Sequence, residues 1–420
     1  MVFPAQPRDW YDVRDELSRL ERRSRFPDYE RNLFDEGPHL VSSSSLPWGD
    51  EVRSQMVEAY VRFIHGETWL TGAGAREMER EVISAMGSVL GGSQVAGFIT
   101  SGGSESNLCA LLAAKSRAGR SGSVVMPSYA HYSFYKGCRM FGLEPIPVPP
   151  PAGRYGVVDP EQVRSAIRDD TICLIGTAGT WPFGTLDPIP ELGEIAAERG
   201  LYFHVDACFG GFILPFLERS GYHDHLAPWD FRVPSVCSVS ADLHKNGLVP
   251  PPASSLYFRD AELLEYAKKI APPNGTLSGT RGTGPIAASW TALQVMGLER
   301  YMAASQHSMA LRDELVAGIC EIPGLEVVPG SVINIFVAYS PSMDLHPVVG
   351  DLGERGWMFV TNQEPAPVAI CLCTMPQNER SAGPFLADLS DAVRLASQPV
   401  PAGARESETA DRGGSGYGNV

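Results

Sequence analysis

The sequence has no uninterrupted apolar run of the roughly 18 residues that a membrane-spanning helix needs, so no bilayer span is expected. Its first ten residues, Met1 to Trp10, lack the apolar core of a secretory signal. Positive charge is in deficit: 34 Lys and Arg stand against 49 Asp and Glu, a formal net charge of −15. That balance argues against generic binding to nucleic acid or to an anionic membrane surface. The eight cysteines (Cys109, Cys138, Cys173, Cys208, Cys237, Cys320, Cys371 and Cys373) are scattered and form no C-x-x-C pair. No His or Cys partners flank Cys371-Leu-Cys373, so it reads as a strand with both thiols on one face rather than as a metal site. Reduced cysteines and a cytoplasmic location follow as expectations. No internal repeat is present.

The chain does have ample material for a core. Its 420 residues are 44% hydrophobic and 20% charged, which suits one large domain and a smaller one. Residues 8–24 carry apolar positions at helical spacing and read as an N-terminal amphipathic arm of the kind that packs on a partner subunit. Residues 52–64 and 76–90 read as two more helices, the second stopped by Gly91-Gly92. From about 95 to 260 short apolar runs alternate with helical stretches. The runs are Ala96–Thr100, Gly122–Met126, Ile172–Gly176, Leu201–Val205, Ser235–Val239 and Ser255–Phe258. Such runs predict a mainly parallel sheet covered on both faces, whose ligands bind at the carboxyl ends of its strands. Residues 285–318 read as one long helix or two. A smaller α/β unit follows, with strands near 325–338 and 367–374 and a helix at 346–355. The expected division is a segment at 1–50, a large domain at 51–290, a small domain at 291–398 and a disordered tail at 399–420.

Three motifs follow predicted strands. Ser240-Ala-Asp-Leu-His-Lys245 places a lysine directly after a histidine. His-Lys alone is a common surface dipeptide, but it has company: His204-Val-Asp-Ala-Cys208 and Thr100-Ser-Gly-Gly-Ser-Glu-Ser-Asn107. Together they supply what pyridoxal 5′-phosphate needs from a protein. These needs are a lysine for its aldehyde, an anion cradle, a carboxylate at its pyridine nitrogen, and groups that sandwich its ring. Lys245 is the candidate lysine. Gly103 and Ser104 open a predicted helix, where glycine lets backbone approach a phosphate and free N–H groups favour an anion. Asp206 can keep the ring nitrogen protonated, with the small Ala207 beside it. His131, in Pro127-Ser-Tyr-Ala-His-Tyr-Ser-Phe134, can stack on the ring and handle protons. Thr177 and Thr180 of Thr177-Ala-Gly-Thr180 can offer hydroxyls to the ring oxygen or a substrate carboxylate. Ser240 and His244 complete the candidate cofactor set.

With these residues the chain resembles the glutamate/aromatic amino-acid decarboxylase superfamily, in particular the archaeal-type tyrosine/aspartate decarboxylases. Further likeness lies in Gly176–Thr180, Gly184-Thr-Leu-Asp-Pro188, His204–Phe216, His244-Lys-Asn-Gly-Leu-Val-Pro-Pro-Pro-Ala253 and Leu277-Ser-Gly-Thr-Arg-Gly282, within a span of about 35–395. The resemblance implies a fold type I, aspartate-aminotransferase-like enzyme. Its large domain holds a mainly parallel seven-stranded sheet, its smaller C-terminal domain is α/β, and its homodimer has active sites at the subunit interface. It assigns Lys245 to the cofactor aldehyde, Asp206 to the pyridinium, His131 to stacking, and Ser104 and His244 to the phosphate. Gly279 and Thr280 would reach the phosphate of the neighbouring subunit. Cys208, Trp181 and Tyr132 depart from the usual residues and bear on the substrate pocket.

The sphingosine-phosphate lyase branch is similar too, but has Lys-Gly where this chain has Pro251-Pro252, which argues against a phosphorylated substrate. The expected reaction is α-decarboxylation of an L-amino acid (aspartate, an aromatic amino acid or an unusual biosynthetic one) to an amine. The rivals are an aldehyde-forming carbon–carbon lyase, a decarboxylative condensing enzyme, and a degenerate, non-enzymatic homologue. Arg281 faces either an acidic substrate or a structural ion pair.

Overall fold

The computed structural model describes residues 9–24, 50–66, 72–223, 225–272, 275–357 and 359–398. The tail expected to be disordered and most of the N-terminal segment lie outside them. Three helices come first: α1 (Trp10–Ser24), α2 (Asp50–Arg62) and α3 (Gly72–Val89). Strands and helices then alternate: β1 (Ala96–Thr100), α4 (Gly103–Ala118), β2 (Ser123–Pro127), α5 (Tyr132–Phe141), β3 (Glu144–Val148), α6 (Pro160–Ala166), β4 (Thr171–Thr177), α7 (Ile189–Arg199) and β5 (Tyr202–Asp206). They continue as α8 (Leu214–Arg219), β6 (Val236–Ala241), β7 (Ser254–Phe258), α9 (Ala261–Ile270) and α10 (Gly284–Cys320). The last stretch holds β8 (Glu326–Val327), β9 (Ile335–Tyr339), α11 (His346–Glu354), β10 (Val360–Asn362), β11 (Ala369–Cys373) and α12 (Ala382–Ala396).

The first seven strands form one sheet in the order β1-β7-β6-β5-β4-β2-β3. Only β7 runs against its neighbours; the other pairings are parallel. This is the expected mainly parallel seven-stranded sheet of a fold type I enzyme. Every residue of β2, β4, β5 and β7 is buried, because helices cover both faces. That double coverage is why these strands read as continuous apolar runs rather than as alternating ones.

One strand was not foreseen. Glu144-Pro-Ile-Pro-Val148 carries two prolines in five residues and is not among the predicted strands, yet it forms β3 at the sheet edge. Glu144 N donates to Gly122 O at 3.1 Å and Val148 O accepts from Ser128 N at 2.8 Å, so alternate residues bond β2 while Pro145 and Pro147 face outward. Proline is tolerated there because the N–H it lacks would have met no partner strand.

The expected one-or-two-helix stretch is two helical halves joined at Gly297, whose φ of 57° and ψ of −178° no helix allows. Ile286, Ala292 and Met296 of the first half join the core under the large sheet; Leu311, Leu315 and Ile319 of the second join a separate core. That second core lies against an antiparallel sheet in the order β10-β11-β9-β8. The three-residue β10 and helix α12 were absent from the sequence reading. Cys371 and Cys373 lie two apart on β11, both buried and neither in a disulfide.

The parallel register brings three strand ends level: Thr177 of β4 pairs with Asp206 of β5, which pairs with Ser240 of β6. With Thr100 ending β1, these carboxyl termini define the edge on which the site is built.

Candidate active site

Asp206 ends β5 and is 5% exposed. Its Oδ2 accepts from Asn107 Nδ2 of α4 at 2.9 Å, and its Oδ1 accepts from Cys208 N at 3.0 Å. Ser240 Oγ lies 3.3 Å from Oδ1 and 2.9 Å from Asn107 Oδ1. Burial works to raise the carboxyl's pKa. The neighbouring His131 and the hydrogen bonds from Cys208 outweigh burial and hold it below the usual carboxylate range. A buried carboxylate is thus kept ionised at a strand end.

His131 caps the N-terminus of α5, where its Nδ1 sits 2.8 Å from Ser133 Oγ. Asn107 Nδ2 also reaches Ser133 Oγ, at 3.1 Å, so one short relay joins His131 to Asp206. Burial lowers the imidazole below its ordinary value, more than Asp206 raises it, and Lys245 adds to the lowering. His131 is therefore neutral near pH 7. Tyr132 packs on it with ring centroids 4.2 Å apart and is 47% exposed.

Lys245 follows β6. Its Nζ is 2.8 Å from Asp242 Oδ2 and 3.8 Å above the Phe209 ring centroid. Burial disfavours the ammonium, but Asp242 and Cys208 outweigh it and hold the amine above the ordinary lysine range. His244 Nδ1 lies 2.5 Å from the Ala253 carbonyl, with Nε2 3.7 Å from Asp242 Oδ2. The Gly102-Gly103 turn closes against this loop: a Cβ on Gly102 would lie 3.7 Å from His244 Cε1. A Cβ on Gly103 would lie 2.5 Å from Cys208 Sγ and 2.8 Å from Asp242 Oδ1, so only glycine fits. Cys208 thus fills the space under the turn. Trp181 stacks on Phe209 at 5.3 Å and 14°.

Lys245, Asp206, His131, His244, Ala207 and the Gly103–Ser104 turn are brought together. Ser240 sits behind Asp206 in the buried network. Thr180 is placed elsewhere: fully buried, its hydroxyl donates to Gly156 O at 3.2 Å, so the expected contribution to the ring has no geometric counterpart. Gly279 and Thr280 are exposed. Arg281 is committed to a structural pair, with Nη1 2.5 Å from Glu79 Oε1 and 2.6 Å from the Ile99 carbonyl.

The residues present fit pyridoxal phosphate. Thr177 Oγ1 and Asp242 Oδ1 are buried with no hydrogen-bond partner, and such orphaned groups call for a polar ligand. The glycine turn opens α4, where backbone N–H groups favour an anion.

Asn107, His204, Ser133 and Asp242 were not singled out from sequence. Asn107 had a signal: it stands four residues after Gly103, on the same helical face. His204 is fully buried, its Nδ1 2.8 Å from Ser238 Oγ and its Nε2 3.3 Å from Asn107 Oδ1. Burial lowers its pKa from the ordinary 6.5 to about 4. Between those values the unfolded chain binds more protons, so stability is full above 6.5 and falls as pH drops towards 4. Asp187, raised to about 6 chiefly by burial, works in the opposite direction over part of that window. A His204→Gln variant isolates the histidine. The gap in unfolding free energy between wild type and variant is expected to narrow by about 2 kcal/mol from pH 7 to pH 5. Urea titration at the two pH values measures it, and a constant gap refutes the assignment.

A buried cationic lysine, an ionised strand-end carboxylate and a glycine-lined helix start on a mainly parallel sheet define a pyridoxal-phosphate enzyme. The family model for the pyridoxal-dependent decarboxylase conserved domain matches residues 68–274. A probable L-tyrosine/L-aspartate decarboxylase of Methanothrix thermoacetophila is 35% identical over 80% of this chain and 87% of its own length. An L-aspartate decarboxylase of Thermococcus kodakarensis is 32% identical over 85% and 91%. Among solved structures, a sphingosine-1-phosphate lyase of Burkholderia pseudomallei superposes with a TM-score of 0.84 at 30% identity, covering 94% of this chain and 93% of that one. The chain belongs to the pyridoxal-dependent decarboxylase family. It is an amino-acid carboxy-lyase whose cofactor is pyridoxal 5′-phosphate.

Proposed function

We propose that the protein releases the α-carboxylate of an L-amino acid as CO₂ and yields the amine, with Lys245, Asp206 and His131 in direct contact with cofactor or substrate. The observation that carries this reading is the ionised, buried Asp206 on the same strand-end edge as Lys245. Bound pyridoxal phosphate supplies an electron sink for the bond that breaks at Cα. Asp206 holds a proton at the ring nitrogen, and the Asn107–Ser240 pair fixes its orientation. Lys245 would hold the cofactor aldehyde, and Asp242, 2.8 Å from its free amine, positions it. Neutral His131 covers the ring and is placed to pass a proton. Gly103, Ser104 and His244 hold the phosphate, Thr177 offers its unpaired hydroxyl, and Ala207 leaves room for the ring.

Phe209 lies under Lys245 and Trp181 stacks on Phe209, which makes this wall of the site aromatic. Arg281, locked to Glu79, is not free for a second carboxylate. Both features favour an aromatic L-amino acid, with aspartate next and an unusual biosynthetic amino acid after it. We further read the protein as a cytoplasmic homodimer whose partner brings Gly279 and Thr280. That none of the eight cysteines forms a disulfide supports a reducing compartment. Among the described residues no helix is long and apolar enough to cross a membrane.

The likeness to the Burkholderia lyase supports a second reading, cleavage of a carbon–carbon bond to an aldehyde; Pro251-Pro252 in place of Lys-Gly weighs against it. Incubating the cofactor-loaded protein with a panel of L-amino acids and weighing the products decides. An amine lighter by CO₂ is expected. An aldehyde instead would establish the second reading and overturn the first.

A further inference from the structure

We propose that Glu105 is a positioning residue that sets cofactor affinity in the neighbouring subunit's active site as well as in its own. The inference rests on the homodimer reading above. Glu105 lies in the first turn of α4, 7% exposed. Its Oε2 accepts from Ser101 N at 2.8 Å and from Ser101 Oγ at 2.7 Å. Its Oε1 accepts from Leu277 N at 3.1 Å and from Ser278 N at 3.2 Å. One carboxylate therefore ties together two segments more than 170 residues apart. Ser101 leads directly into the Gly102–Ser104 turn. Ser278 leads directly into Gly279 and Thr280.

The second segment explains why a carboxylate is buried at this point. Residues 277–280 are exposed, and a Cβ on Gly279 would meet nothing within 4 Å. Within its own subunit this turn is held from behind by Glu105 and by Thr276 Oγ1, which donates to Ser278 O at 2.9 Å. It is also fixed on both flanks. Gly275 packs so closely on Phe98 that a Cβ would lie 2.9 Å from the ring, and Arg281 is locked to Glu79 and to the Ile99 carbonyl. Burying a carboxylate is costly and is not needed to tether a loop with no task. A rigid, outward-facing glycine turn is what a segment needs to meet a phosphate held by another copy of the chain. Glu105 touches no cofactor-contacting atom itself. It presets the geometry of its own glycine turn through Ser101 and of the neighbour's site through Ser278.

Mixed dimers separate the two effects. In a dimer of one wild-type protomer and one Lys245→Ala protomer, only the wild-type lysine can bind cofactor covalently, and its site receives residues 277–280 from the other protomer. The comparison dimer carries Glu105→Gln in addition to Lys245→Ala on that second protomer, so the reporting protomer is unaltered in both. Apo dimers are titrated with pyridoxal phosphate, following the visible band of the lysine-bound cofactor. The comparison dimer is expected to need about tenfold more cofactor for half-saturation, the effect of weakening hydrogen bonds to a charged group, while kcat at saturating cofactor stays level. Equal half-saturation in a confirmed dimer overturns the proposal and leaves the dimer reading intact. A monomer by sedimentation overturns the dimer reading and the proposal with it. If Glu105→Gln protomers do not fold, Glu105→Asp, which keeps the charge but withdraws it by one methylene, is measured in the same way.

Discussion

Replacing Lys245 with alanine is expected to lower turnover by a factor on the order of 10⁴ or more, with loss of the visible band of the bound cofactor. Among the described residues no other lysine stands at the carboxyl edge of the sheet in contact with this set. The same change has a second consequence, independent of catalysis. Asp242 is 1% exposed, one of its oxygens already lacks a partner, and Lys245 Nζ at 2.8 Å is the cation paired with the other. Removing one member of a buried pair leaves an uncompensated charge, so a loss of stability of about 3–5 kcal/mol is expected. Lys245→Arg should be equally inactive, because a guanidinium does not add to an aldehyde, yet should recover much of that stability. Melting curves and steady-state rates on the two apo variants test this. Equal melting temperatures would show that the Asp242 pair contributes nothing to the fold, and near-normal turnover in either variant would sink the assignment of Lys245.

Asp206→Asn is expected to lower kcat by about 10²–10³-fold while leaving KM within about twofold. The amide keeps the size of the side chain and one acceptor for Cys208 N–H or Asn107 Nδ2, so the site retains its shape. It loses the negative charge that holds a proton at the ring nitrogen, which matters most as charge develops during bond cleavage. A rise in KM with kcat unchanged would instead make Asp206 a binding group. The variant should still take up cofactor, and a spectrum recorded before kinetics separates loss of chemistry from loss of binding.

Lys245, Asp206 and His131 were legible because each lies at or within a few residues of the end of a strand whose apolar run is unmistakable, and strand ends in such a sheet converge. The layer behind them was not. Asn107, Ser133 and His204 meet Ser240, itself marked by the sequence as a cofactor contact, only because four elements cross, and no spacing along the chain records that a helix lies against two strands. Asp242 was in view inside the Ser240–Lys245 motif, yet its pairing with Lys245 depends on how the loop turns back. Thr180 shows the converse: its place in a strand-end motif suggested a ligand contact, but the turn at 177–185 rotates its hydroxyl onto Gly156. In the fold, β3 was hidden by its prolines and β10 by its three-residue length. The Gly297 break was half visible as a stretch that could be one helix or two.

Pro145 and Pro147 also govern how copies of this molecule meet at high concentration. An open sheet edge is a template on which a stray strand can assemble, and assembly of that kind ends in aggregates. At β3 an approaching strand would find no N–H at either outward-facing position, so it could not complete a ladder. The opposite edge is closed by different chemistry: the N–H and carbonyl of Ile99 on β1 are already taken by Glu79 and Arg281. Neither border of the sheet offers a foreign strand a regular row of partners, and the excess of negative charge adds repulsion at longer range. The residues that concealed β3 as a strand are the ones that stop the sheet from growing beyond its own chain.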